Sequence, residues 1–196
     1  MPTITTGIIR SLKVPDAFTD LKEEIAGISP EYWMKSYRIP GQNFPEISLR
    51  YPGFPMYSDD VPGFRGLLAK GEHIVFEQGN PKYSLKANID MVKEVSPGLG
   101  NAGDNQIAKA DSGPMFNLKT MSVREVQGRM LLNVTGWFQT QSLEPRVFLS
   151  CLYIDTTPGT KECKVQELYL QAFPLDQFEQ YTKQFEEMLT TISWAN

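Results

Sequence analysis

Apolar positions along this chain recur at two different steps, and the sharpest change of step falls near its end. Met130, Leu132, Val134 and Phe138 alternate with Leu131, Asn133, Thr135 and Trp137, and a period of two predicts a strand. Arg146 to Asp155 then reads RVFLSCLYID, the nearly unbroken apolar run of a strand covered on both faces. Thr157, Pro158, Gly159 and Thr160 supply a turn, because proline presets φ and glycine tolerates positive φ. The returning arm, Val165 to Ala172, puts Leu168, Leu170 and Ala172 on one side and Glu167, Tyr169 and Gln171 on the other. The first side calls for a helix to cover it.

That helix is predicted directly downstream, where the step lengthens to three and four. Leu175, Phe178, Tyr181, Phe185, Met188, Leu189 and Ile192 fall on one face. Pro174 stops the strand, and Asp176 followed three residues later by Glu179 matches a capping box. Burying such a stripe is worth roughly 1.5–3 kcal/mol per large apolar side chain, more than intrinsic propensity supplies, so the helix is a packing element.

Upstream the pattern is weaker. Asp16 to Ile25 has helical spacing at Phe18, Leu21 and Ile25, and Ser84 could cap a second helix carrying Leu85, Ile89 and Val92. Ile47–Tyr51 and Ile74–Glu77 read as short strands, and alternation from Met115 to Val126 predicts a long one that turns at Gln127-Gly128. The order is mixed α and β, with an antiparallel sheet concentrated after residue 115.

Composition narrows the classes. The 196 residues are 41% hydrophobic, enough to build the core of a single domain spanning 1–196. A net charge of −4 without a Lys/Arg cluster argues against nucleic acid. No apolar run is long enough to span a bilayer. The first residues lack the charged and apolar regions of a signal peptide, which favours a cytoplasmic location. Cys151 and Cys163 lie on opposite arms of the hairpin, so a cross-strand disulfide is conceivable. Disulfides are rare in reducing compartments and demanding in geometry, which favours a buried thiol and a loop thiol. Neither cysteine has metal-ligand spacing.

Three motifs invite chemistry. Gly98, Leu99, Gly100, Asn101, Ala102 and Gly103 satisfy GxGxxG, but a predicted helix enters that turn where a dinucleotide site needs a strand. The sole histidine, His73, precedes Glu77 by four residues, and on a regular strand the two would share a face. Neither has a second catalytic partner nearby in sequence. Asn133-Val134-Thr135 matches a glycosylation sequon inside a predicted strand and is assigned no function. No catalytic residue, cofactor or metal is implied.

The least regular stretch runs from Pro30 to Phe64, where six prolines are interleaved with aromatic residues. Proline blocks ladders and helices, so these rings ride on irregular backbone. They either complete the core from outside or form a partner surface. In the second case Tyr51, Phe54 and Tyr57 would be its aromatic anchors, with Asp59 and Asp60 as an acidic rim.

Taken together, GRMLLNVTGWF, RVFLSCLYID, KVQELYLQAF and LDQFEQYTKQFEEMLTTISW resemble the C-terminal half of the superfamily that includes PsbP, a Ran-binding nuclear import factor and small bacterial adaptors. The shared features are the Glu167-Leu168-Tyr169 strand and a final helix with Phe178, Phe185, Leu189, Ile192 and Trp194. The resemblance implies an α+β fold: an α/β/α sandwich whose central, mainly antiparallel sheet is covered by helices on both faces. Its members mostly bind other proteins, and it carries no shared catalytic motif. The expected function is a non-enzymatic protein-binding or adaptor module. The alternative is a small-molecule or nucleotide-binding protein, or a small enzyme, using the Gly98–Gly103 loop.

Overall fold

A computed structural model of the chain describes residues 3–21, 33–51, 63–83, 115–139, 147–161 and 163–195. Its strands are β1 (Thr3–Thr6), β2 (Ile9–Lys13), β3 (Thr19–Asp20), β4 (Trp33–Arg38), β5 (Glu46–Tyr51), β6 (His73–Glu77), β7 (Met115–Val126), β8 (Arg129–Gln139), β9 (Val147–Asp155), β10 (Val165–Ala172) and β11 (Ser193–Trp194). Among the described residues there are two helices, α1 (Phe64–Leu68) and α2 (Leu175–Leu189).

The strands form two antiparallel sheets. One has eight strands in the order β3-β4-β5-β10-β9-β8-β7-β6, and the other has three in the order β1-β2-β11. The expected α/β/α sandwich is therefore wrong: the chain is mostly β, and helices do not cover both faces of its sheet. The physical reason lies in the N-terminal segment. The described part of the expected Asp16–Ile25 helix, Asp16 to Leu21, is not helical, because Phe18 turns into the core at 1% exposure while Thr19 and Asp20 pair with Arg38 and Tyr37 of β4. Much of the layer expected to be helical is the small sheet. Among the described residues, the only helix on the opposite face is the five-residue α1, through Phe64 and Leu67. The helix expected from Ser84 lies outside the described residues.

The long central hairpins follow from local chemistry. Gln127 and Gly128 take φ of 48° and 80°, and Val126 pairs with Arg129 across them. Two positive φ values in a two-residue loop match the right-handed twist of the flanking strands. The register of β8, β9 and β10 then sorts side chains by face. Leu131, Leu152, Ile154, Leu168 and Leu170 join Phe185, Met188 and Leu189 of α2 in one cluster, together with Ile4, Ile9 and Leu12 of the small sheet. Leu132, Val134, Leu149, Cys151 and Tyr153 join Phe64, Phe76, Phe116 and Met121 in another. The apolar run of β9 is thus explained by burial on both sides.

One local expectation fails. The N-cap of α2 is Pro174, with no side-chain cap, while Asp176 lies in the first turn and accepts only the Gln177 amide, at 2.9 Å. A disulfide is ruled out by register. Cys151 sits opposite Tyr169 in the middle of β10, whereas Cys163 precedes that strand, and both are buried and not joined in a disulfide.

Candidate functional site

The site-forming feature is a cleft of about 430 Å³ between the N-terminal half of α2 and strands β7–β9. Its floor comes from the helix-facing side of the sheet: Asn133, Thr135 and Trp137 of β8, with Phe148 and Ser150 of β9. Its wall is one flank of α2, namely Leu175, Phe178, Thr182 and Glu186. Those residues recur at the helical step, so a single flank faces the sheet along two turns and more.

Rings line one side. Trp137 and Phe148 have centroids 6.3 Å apart, and Phe148 and Phe178 follow at 5.7 Å. Both separations fall within the ordinary range for aromatic pairs, so the three rings form a continuous ladder from β8 across β9 to the helix. Leu175, 45% exposed, stands at the mouth, and Phe173, just before the helix, is exposed as well.

The other side is polar. Thr120 and Thr135 share a hydroxyl hydrogen bond of 2.6 Å, and the Thr182 hydroxyl donates to the Phe178 carbonyl at 2.7 Å. Asn133 Oδ1 is buried without a hydrogen-bond partner. A buried amide oxygen left unmatched is costly, and it is the one polar floor atom here that calls for a donor. Glu186 is neutralised by Arg124, whose guanidinium donates to both of its oxygens at 2.8 and 2.5 Å. The hydrogen bond to Glu186 holds the Arg124 pKa above the ordinary guanidinium value, against the opposing effect of burial.

Gly136 shapes the floor. An ideal Cβ there would lie 2.1 Å from the Asn117 carbonyl oxygen and 2.6 Å from Phe116 Cζ, so only glycine lets β7 and the Phe116 ring approach so closely. Beside it, the ladder between β7 and β8 slips between Leu118 and Thr120. Lys119 is the extra residue of this bulge, and it lines the cleft with Gln78.

The residues named in the sequence as candidate partner, nucleotide or catalytic sites are not among the cleft residues described above. Phe54, Tyr57, Asp59, Asp60 and the Gly98–Gly103 loop fall outside the described residues; Tyr51 ends β5, its backbone pairing with Trp33, and its side chain is likewise outside them. His73 and Glu77 are not brought together. The bulge between Ile74 and Phe76 sets His73 opposite Val123 and Glu77 opposite Thr120. His73 Nδ1 lies 2.7 Å from the Gly71 carbonyl, and Glu77 accepts from the Asn80 amide at 2.7 Å.

Sequence reasoning missed the cleft residues because Trp137 and Phe178 were explained by periodicity alone. One signal was present: Asn133, Thr135 and Ser150 interrupt a sheet face that is apolar at Leu131, Leu152 and Ile154. Among the described residues no group of His, Cys, Asp or Glu could hold a metal ion, and no helix is long and apolar enough to cross a membrane. Comparison with protein-family models, with curated proteins and with solved structures finds no match, so the superfamily resemblance gains no support from them.

Proposed function

We propose that the chain is a non-enzymatic binding module and that the cleft between α2 and β7–β9 receives a small ligand with a flat apolar body. The observation that carries this reading is the ring ladder Trp137–Phe148–Phe178 beside a polar floor. Ligand sites typically occupy roughly 300–1,000 Å³ and combine apolar walls with a few fixed polar groups. The cleft fits that description in size and in lining.

A neutral probe, para-hydroxyphenylacetamide, tests it. Titration into the intact chain, followed by NMR, is expected to move the Trp137 indole N–H resonance. Thr182→Phe, which places a ring in the cleft from the helix side, is expected to abolish that shift while the folded spectrum persists. An unchanged response in Thr182→Phe would overturn the reading.

A second reading keeps the adaptor expectation, because Leu175 of the cleft wall is exposed and Phe173, two residues before it in the chain, is exposed as well. There the cleft would anchor one apolar side chain of a protein partner, with those residues as the surrounding contact. It predicts that Phe173→Ser, at an exposed residue outside the cleft lining, weakens partner capture without affecting the small probe.

A further inference from the structure

We propose that the ligand of this cleft is an anion: a small aromatic carboxylate carrying a hydrogen-bond donor at the far end of its ring. This rests on the cleft reading above and adds the ligand's charge and polarity. The cleft has three charged or amide groups along its β7 side and helix side, and their electrostatic roles differ.

Glu186 contributes little net charge, since both of its carboxylate oxygens are taken by Arg124. Glu77, opposite Thr120, turns its carboxylate to the Asn80 amide. Lys119 is different. It lines the cleft, its carbonyl accepts from the Gln78 backbone amide at 2.8 Å, and among the described residues its side-chain ammonium has no hydrogen bond or ion pair. Its side chain faces the cleft because the bulge adds one residue to β7 at this level, a device that re-aims side chains next to sites. Gln78 lies beside it and offers amide donors. A cation and an amide at one rim are complementary to a carboxylate.

The far end of the slot has the opposite preference. Asn133 Oδ1 is a buried acceptor without a partner, so it selects an O–H or N–H. Lys119 is inserted near the level of Thr135 and Gly136, and Asn133 lies two to three residues along β8. At about 3.3 Å per residue that separates the two groups by roughly 8 Å. A para-substituted ring spans this gap over Thr135 and Ser150, with the ring ladder of Trp137, Phe148 and Phe178 next to its carboxylate-bearing end.

Three isosteric probes distinguish the charge from the cleft itself: para-hydroxyphenylacetate, para-hydroxyphenylacetamide and tyramine, each titrated into the intact chain by NMR. The expected order of affinity is carboxylate, then amide, then amine. Lys119→Gln is expected to lower the carboxylate's affinity about three- to fivefold, the scale of an exposed ion pair, and to leave the amide's unchanged. High salt should erase the same difference. Equal binding of carboxylate and amide, or a lead that survives in Lys119→Gln, would overturn the anion proposal while leaving the cleft reading intact. Failure of all three probes to move the Trp137 resonance would sink both. The folded spectrum of Lys119→Gln serves as the control for structure.

Discussion

The two halves of α2 carry the same apolar period and meet very different surroundings. In the C-terminal half, Phe185 is 0% exposed and Met188 and Leu189 are each at 2%. In the N-terminal half, Leu175 is 45% exposed, and Phe178 and Tyr181 are only partly buried. Periodicity set which flank of the helix faces the sheet. What lies opposite set how much of it is covered. The last turns meet Leu168, Leu170 and the small sheet, whereas the first turns meet Asn133, Thr135, Trp137 and Ser150. A helix can therefore act as a structural clamp at one end and as the wall of a site at the other.

The largest effect should come from testing this contrast directly. Phe185→Ala is expected to destabilise the fold by about 3–5 kcal/mol, because a large ring leaves a cavity in a closed core. Leu175→Ala should change stability by less than about 0.5 kcal/mol, as is usual at exposed positions. Urea unfolding followed by circular dichroism measures both. Similar losses at the two positions would break the comparison.

A smaller effect of opposite sign is expected inside the packed end. Gln166 of β10 is 0% exposed, and neither of its amide atoms has a hydrogen-bond partner. Its Oε1 would lie 2.8 Å from a Cβ at Gly7, a residue whose φ of 62° favours glycine, so the β1–β2 turn sits directly over the amide. An unmatched buried amide costs roughly 1–3 kcal/mol. Gln166→Met keeps the length and removes the unmatched groups, so it should raise the urea midpoint by the equivalent of about 1 kcal/mol. A lowered midpoint would show that the amide contributes to packing and that the closed end of the cluster is sound as built.

Much of the sheet was legible because its causes are local. The strands Met115–Val126 and Val165–Ala172, and the turns at Gln127-Gly128 and Thr157–Thr160, follow from alternation and from residues that tolerate or preset unusual φ. The failures have non-local causes. Asp16 to Ile25 had helical spacing, yet Phe18 and the pairing of Thr19 with Arg38 decided the conformation of its described part, Asp16 to Leu21, and that partner lies outside the local window. The layers were misjudged for a similar reason: β11 pairs with β2 across nearly the whole chain, and no local pattern announces such a pairing. The cleft was hidden because a half-covered stripe and a fully covered one read alike. Its polar floor became informative only once the register placed Asn133 and Ser150 under the helix.

In the C-terminal half of α2, Glu186 joins Arg124 of β7, and this pair gives a small stability effect and the finest test. Arg124 is 28% and Glu186 41% exposed at the side chain, so solvent screens the pair. A double-mutant cycle with Arg124→Met and Glu186→Gln should give a coupling of about 0.5–1 kcal/mol, reduced by salt. The raised pKa of Arg124 fixes the sign of one pH effect. Its contribution is complete below the unfolded-state value and is lost only as pH rises through the higher folded one, so between neutral and mildly alkaline pH this group should leave the coupling flat. The two single variants should then separate in binding. Arg124→Met leaves the Glu186 charge unbalanced beside the cleft and should weaken para-hydroxyphenylacetate relative to its amide. Glu186→Gln removes that charge and should strengthen it. Identical probe affinities in the two variants would mean that the pair only fastens the helix and has no part in the electrostatics of the cleft.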